Sequence, residues 1–249
     1  MTLHPLAAQF AEVAAAYERG RPEYAPAVVG AITAELRIPP GSRVLDLAAG
    51  TGKLTRALLG AGLDVVAVEP QSQLRDLLAS RVGAERVLDG VAEAIPLPDE
   101  SVVAVTVADG VHWFDHKVAF GEIARVLRPG GGLAVLSTAP DWGGASWAHE
   151  VGTLLAGLRP DHPHFDGPPW QDTVRAAGGW TAPREVRVTT SQPADPDKLL
   201  DYFASLSWIA ALPEDQRAAT LARAGAIIRA SETPAALALH VTIGLTELA

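Results

Sequence analysis

A chain of 249 residues, 48% of them hydrophobic, can bury a full core, and a formal charge of −9 with no lysine or arginine cluster speaks against a nucleic-acid surface. The absence of cysteine excludes disulfides, thiolate catalysis and a Cys-based metal site. No segment approaches the roughly eighteen apolar residues of a membrane span, and Met1–Ala16 lacks the pattern of a secretory leader, so a cytoplasmic protein without membrane contact is expected.

In chain order, Phe10, Val13 and Tyr17 recur at helical spacing over Leu6–Tyr17, and Pro26–Leu36 reads as a second short amphipathic helix before Pro39-Pro40-Gly41 interrupts. From Arg43 short apolar runs alternate with helical segments: strand 43–48, helix 53–60, strand 64–69, helix 72–81, strands 86–89 and 102–108, helix 116–127 and strand 132–138. That alternation predicts a parallel sheet wrapped by helices, with its ligands at the carboxyl edge of the strands. After Ala139 the chain reads as loop-rich, with Trp142, Trp147 and Trp170 among several prolines. Pro183–Thr190 then alternates as a strand, helices follow at about 196–212 and 214–230, and Leu237–Leu245 is expected to be an antiparallel strand closing a seven-stranded sheet. A continued helix from Thr233 is the alternative for that end.

The most informative run is Val44-Leu45-Asp46-Leu47-Ala48-Ala49-Gly50-Thr51-Gly52-Lys53-Leu54, followed by Val65-Val66-Ala67-Val68-Glu69. A buried strand breaks at small residues into a helix, and a second buried strand ends in a carboxylate able to accept both hydroxyls of a ribose. No glycine stands at the third position of a dinucleotide fingerprint, because residue 53 is Lys and residue 55 is Thr. Gly52-Lys53 continues with Leu54, which argues against a triphosphate loop.

These motifs resemble the class I S-adenosylmethionine-dependent methyltransferases. The resemblance continues through Ala92-Glu93-Ala94-Ile95-Pro96-Leu97-Pro98 and Leu127-Arg128-Pro129-Gly130-Gly131, covering about residues 40 to 140. The flanks Tyr17-Glu18-Arg19-Gly20-Arg21-Pro22 and His112-Trp113-Phe114 are similar to a bacterial small-molecule subgroup, the trans-aconitate-type enzymes. The fold implied is Rossmann-like and α/β: a doubly wound, mostly parallel seven-stranded sheet with the last strand antiparallel, plus helical lid and cap segments. The implied organisation is an N-terminal lid over 1–40, a cofactor-binding core over 41–140, a substrate-facing insert over 141–182, and strands and helices over 183–249 that complete the same single domain.

The cofactor implied is S-adenosylmethionine, leaving as S-adenosylhomocysteine. The resemblance places Asp46, Ala48, Ala49, Gly50, Thr51 and Gly52 around its methionine part, Glu69 and Pro70 at the ribose, and Leu74 on the adenine face. Asp46 either orients this loop or caps backbone N–H groups of the turn. Ala48 replaces the usual first glycine, and its methyl is expected to be tolerated with φ negative. Val91 stands where many relatives carry an acid for the adenine amine, leaving that contact to the Ala92 N–H and the Glu93 side chain. Asp109 is placed to meet the cofactor amine or the acceptor, and Tyr17, Arg19 and Arg21 either fold over the site, with an arginine pairing with the cofactor carboxylate, or end a solvated helix.

Methyl transfer from a sulfonium needs alignment, dehydration and, for some acceptors, proton removal. His112 is the candidate base, an imidazole with an unperturbed pKa of about 6.5, and its competing reading is a packing histidine; Asp109 is the second candidate. His116, behind Asp115 as an N-cap, ranks below His112. Acceptor contacts are assigned to His112, Trp113, Trp142, Trp147, His164 and Trp208, with Trp170 and Trp180 as further members of an aromatic pocket. Asp161-His162-Pro163-His164-Phe165-Asp166 is read as a lid or substrate-contact loop and not as a metal site. The expected partner is a small molecule, the expected state a monomer or homodimer, and the competing functions are a cofactor-binding protein that transfers no methyl and a nicotinamide oxidoreductase.

Overall fold

The computed structural model describes residues 14–158, 167–231 and 236–249. They form two compact units. One, the sheet unit, comprises Glu23–Thr138, Gly167–Val188 and Val241–Ala249; the other, the helical unit, comprises the described parts of Met1–Pro22, Ala139–Asp166 and Thr189–His240. This partition differs from the segmentation at 40, 140 and 182, because the chain passes between units within its long strands.

The strands are β1 (Arg43–Leu47), β2 (Asp64–Val68), β3 (Val87–Leu88), β4 (Val102–Ala108), β5 (Leu127–Pro140), β6 (Arg184–Pro193) and β7 (Ala236–Glu247), ordered β3-β2-β1-β4-β5-β7-β6. Pairing is parallel from β3 to β5. Leu248 N–H donates to Gly131 O and Asp141 N–H to Ala238 O, so rising numbers in β5 meet falling numbers in β7, which is antiparallel. β1 and β2 bury four of five residues each, as central parallel strands covered on both faces must.

In the sheet unit the helices are α2 (Pro26–Glu35), α3 (Lys53–Gly60), α4 (Ser72–Val82), α5 (His116–Val126) and α7 (Trp170–Ala177). Leu45, Leu47, Val66, Val105 and Val107 pack against Phe120 and Ile123 of α5 on one side of the sheet. On the other, Val44, Val65 and Ala104 meet Val28 and Ile32 of α2 and Leu54 and Leu58 of α3. The helical unit holds α1 (Ala14–Gly20), α6 (Ser146–Ala156), α8 (Pro196–Ala204), α9 (Ser207–Ala210) and α10 (Glu214–Ala230) around Trp147, Leu199, Phe203 and Ile228. There α1 lies against α8 so closely that a Cβ on Gly20 would sit 2.1 Å from Tyr202 N.

Three expectations change. Residues 146–156 and 170–177, read as loop, are helices α6 and α7; Trp147 and Trp170 are their buried anchors, so the tryptophans that obscured a helical period are what the helices bury. The fifth strand begins at Leu127 and not at 132, because Leu127 pairs with Val102 ahead of a register shift that accommodates Pro129 and Gly130 at φ 72°. The helix expected over 196–212 breaks at Ser205-Leu206, where the Ser205 hydroxyl donates to Tyr202 O at 2.6 Å and Leu206 is extended.

Candidate functional site

In this strand order β1 leads outward to β2 and β3, while β4 lies on its other side, so the crevice where the winding reverses opens beyond the carboxyl ends of β1 and β4. The turn after β1 carries three left-handed residues: Ala48 at φ 57°, Gly50 at φ 57° and Gly52 at φ 85°. Each does something different. A Cβ on Gly50 would enter open space, so this glycine leaves bare backbone facing outward; a Cβ on Gly52 would meet Leu78 Cδ1 at 2.3 Å, so this one lets α3 approach α4. Ala48 contradicts the expected negative φ: the turn imposes a left-handed conformation that costs an alanine about 1 kcal/mol.

Glu69 follows β2 and is 3% exposed. Its Oε2 accepts the Gly50 N–H at 2.8 Å and its Oε1 the Gln71 N–H at 2.9 Å, tying the glycine turn to the start of α4. Burial raises its pKa, and the two N–H groups oppose that rise. Each carboxylate oxygen keeps a free lone pair for a ligand hydroxyl. Arg75, absent from the sequence reading, donates to Glu69 O and Pro70 O at 2.9 Å and pairs with Asp89 at 3.0 Å, fixing the turn in which Glu69 stands. Its place three residues into a helix that follows an acidic strand end was the available signal.

Asp46 is wholly enclosed. Its carboxylate accepts the Thr55 hydroxyl of α3 at 2.6 Å and the Thr106 hydroxyl of β4 at 3.2 Å, and the Thr55 backbone N–H donates to it as well. It therefore sets α3 against the β1–β4 pair behind the glycine turn. Burial pushes its pKa up to about 6, with the charge of Glu69 adding to the rise and the threonine hydroxyls opposing it. Thr55 and Thr106 were not predicted, since nothing local in the sequence links positions 9 and 60 residues away.

A family profile described as a methyltransferase domain matches residues 45–135, the segment that contains this crevice. An uncharacterized methyltransferase of Mycobacterium tuberculosis is 39% identical over 215 residues, spanning 86% of this chain and 83% of its own. The chain belongs to the class I S-adenosylmethionine-dependent methyltransferases. A ubiquinone/menaquinone biosynthesis C-methyltransferase of Burkholderia multivorans is 40% identical over 119 residues, 44% of this chain and 48% of that one. Among solved structures, one provisionally assigned as a type II methyltransferase of Anaeromyxobacter dehalogenans superposes with a TM-score of 0.62 at 24% identity, covering 91% of this chain and 96% of that one, and supports the fold.

The methyltransferase site fits the family's donor. Gly50 leaves the open space into which a ligand can press, the Glu69 carboxylate has lone pairs to give, and the buried Thr51 hydroxyl has no partner among the described residues. Ala49 and Pro70 line the same turns, and Leu74 lies 5% exposed on the first turn of α4. On the adenine side Val91 bridges Ala94 and Ala92 is buried, but Glu93 gives its Oε1 to the Asp115 N–H at 2.7 Å.

Asp109, at φ 52°, accepts the Thr138 N–H at 2.9 Å and so joins the ends of β4 and β5. His112 and Trp113 stand on the 3-10 turn Val111–Trp113, their rings 4.5 Å apart and tilted by 51°. Both are half-buried. His116 Nε2 donates to Val111 O at 3.1 Å and its ring meets Phe120 edge-on, so it packs at the start of α5. Asp115 is the N-cap of α5, accepting from Val118 N–H.

The aromatic readings divide. Trp147, 1% exposed, fills the helical unit's core and is removed from the acceptor contacts; Trp142 packs on Phe203 at 6.0 Å, and Trp208 lies half-buried against the same core. Trp170 stacks on Phe120 at 6.0 Å and Trp180 meets it edge-on at 6.4 Å, so both serve the sheet unit's core. Within the helical unit the Arg21 guanidinium lies 5.3 Å from the Tyr17 ring and 4.7 Å from the Tyr202 ring, with Nε donating to Ser205 Oγ at 3.0 Å, so the expected lid residues anchor α1 on α8. His164 and the Asp161–Asp166 loop lie outside the described residues. Among the described residues no helix is long and apolar enough to cross a membrane.

Proposed function

We propose that this methyltransferase acts on a small-molecule acceptor in the cytoplasm, at oxygen first, as a monomer or homodimer without nucleic acid or membrane. The observation that supports this best is the His112–Trp113 pair on the turn beyond β4, next to the strand-order switch where the cofactor turn lies. The cofactor supplies an electrophilic methyl group on a cationic sulfur. Glu69 holds the ribose hydroxyls, while Gly50 and Thr51 let the turn close on the methionine part. His112 takes the proton of an acceptor hydroxyl as the nucleophile attacks, and the Trp113 ring excludes water from that path. A carboxylate acceptor needs no base. Recognition of several carboxylates is disfavoured, since Arg175, a cation of the post-sheet segment, already pairs with Asp172 at 2.7 Å.

A carbon acceptor is the second reading, favoured by the identity to the Burkholderia C-methyltransferase across 48% of that protein. Isothermal titration of the cofactor-free protein with S-adenosylmethionine, S-adenosylhomocysteine and NAD tests the cofactor, and mass spectrometry of acceptor mixtures for a gain of one methyl tests the reaction. Saturable binding of the first two alone supports the proposal. Binding with no methylated product from hydroxyl, amine, carboxylate or activated-carbon acceptors refutes the small-molecule assignment.

A further inference from the structure

Glu93 belongs by sequence to the cofactor side of the site, and by its hydrogen bond to the acceptor side. Its Oε1 accepts the backbone N–H of Asp115 at 2.7 Å. Asp115 is the N-cap of α5 and directly follows the turn that presents His112 and Trp113. The next residue, His116, reaches back to Val111 O at 3.1 Å, so the turn is closed from its far end. Its near end is closed by Asp109, whose carboxylate accepts the Thr138 N–H.

The segment carrying Glu93 is itself fastened to α5 further along. Glu122 Oε2 accepts the Ile95 N–H at 2.9 Å, and Arg125 donates to Ile95 O at 2.9 Å and to Leu97 O at 2.8 Å. These bonds hold the stretch after Ala94 whether or not Glu93 is present. Through its side chain Glu93 links the Val91–Ala94 turn to the base of the His112 turn. A displacement of that turn on cofactor binding has a short, charge-assisted route to the acceptor side.

We propose that Glu93 is a positioning residue that couples cofactor binding at the Val91–Ala94 turn to the order of the Val111–Trp113 turn, through the Asp115 N–H. The proposal rests on the reading of that turn as the cofactor's adenine side. It differs from an adenine-contact role, in which loss of the Glu93 carboxylate weakens binding of the cofactor itself. In the coupling role binding persists and the acceptor turn stops responding.

Hydrogen exchange of the full chain, followed by mass spectrometry with and without saturating S-adenosylhomocysteine, separates the two. In the wild type the product is expected to slow exchange across residues 111–118 by about five- to tenfold, the lower end of a typical coupling. Glu93→Ala is expected to keep its affinity for S-adenosylhomocysteine within about threefold and to lose the slowing. Glu93→Gln, whose amide oxygen still accepts from Asp115, is expected to retain it. Asp115→Pro removes the donor from the other side and should behave as Glu93→Ala; φ −72° at Asp115 and the extended Phe114 before it both suit a proline. Slowing that survives in Glu93→Ala or Asp115→Pro overturns the proposal, as does a loss in Glu93→Gln or a drop in affinity beyond about tenfold in Glu93→Ala. Wild-type protein that fails to bind S-adenosylhomocysteine overturns the cofactor-site reading together with it, whereas binding without any slowing overturns the coupling alone.

Discussion

Replacing Asp46 by Asn tests the buried polar centre behind the glycine turn. The carboxylate is enclosed between α3 and β4, and burial lifts its pKa from 3.8 to about 6. A raised acid pKa means that the folded state holds the proton more tightly than the unfolded chain. The stability it contributes is present in full below the unfolded value and is lost as pH rises through about 6. At about 1.36 kcal/mol per pKa unit, the 2.2-unit difference between about 6 and 3.8 amounts to about 3 kcal/mol in total, and about 2 kcal/mol of it falls between pH 4.5 and pH 8. Asparagine is isosteric and uncharged. Its Oδ1 can accept the Thr55 hydroxyl, and its amide can donate to Thr106, whose hydroxyl also lies 3.3 Å from Leu45 O and can turn its proton there. Urea denaturation of both proteins across pH 4.5 to 8 should show Asp46→Asn gaining about 2 kcal/mol on the wild type as pH rises. A difference that does not change with pH would refute the placement of a titrating carboxylate in this enclosure.

Glu69→Ala removes the acceptor of the Gly50 and Gln71 N–H groups together with the ribose ligand, and should weaken S-adenosylhomocysteine binding by about 100-fold in titration calorimetry; unchanged affinity sinks the ribose assignment. Ala48→Gly relieves a left-handed alanine and should raise unfolding free energy by about 0.5–1 kcal/mol with binding retained, whereas destabilisation would contradict the strained turn. Gly20→Ala forces a methyl against the Tyr202 backbone and should cost about 2 kcal/mol, seen as a Tm roughly 4–8 °C lower. With a hydroxyl acceptor, His112→Ala should reduce kcat by about 10²- to 10⁴-fold, and wild-type turnover would exclude a base.

The strands of the sheet were legible because each is written locally. Helix 53–60 and strand 102–108 match α3 and β4 residue for residue, since the helical period of the first lies between Gly52 and Gly62 and the apolar run of the second between the polar Glu100-Ser101 and Asp109. Helices α6 and α7 were not legible, because Trp147, Trp170 and the neighbouring prolines break the pattern and only the cores they fill give those side chains a reason. The glycine turn and the Glu69 carboxylate could be placed from sequence, since both follow from where strands must end.

The sequence by itself determined the family, the doubly wound sheet and the turns at its carboxyl edge, because each follows from short-range periodicity and from residue types at fixed offsets. The tertiary structure alone decided what those residues touch. It put Ala48 in a left-handed conformation, enclosed Asp46 with Thr55 and Thr106, buried Trp147, and joined Glu93 to Asp115 across 22 residues. Such partners are set by how strands stack and helices lie, over separations at which local sequence holds no record of the contact.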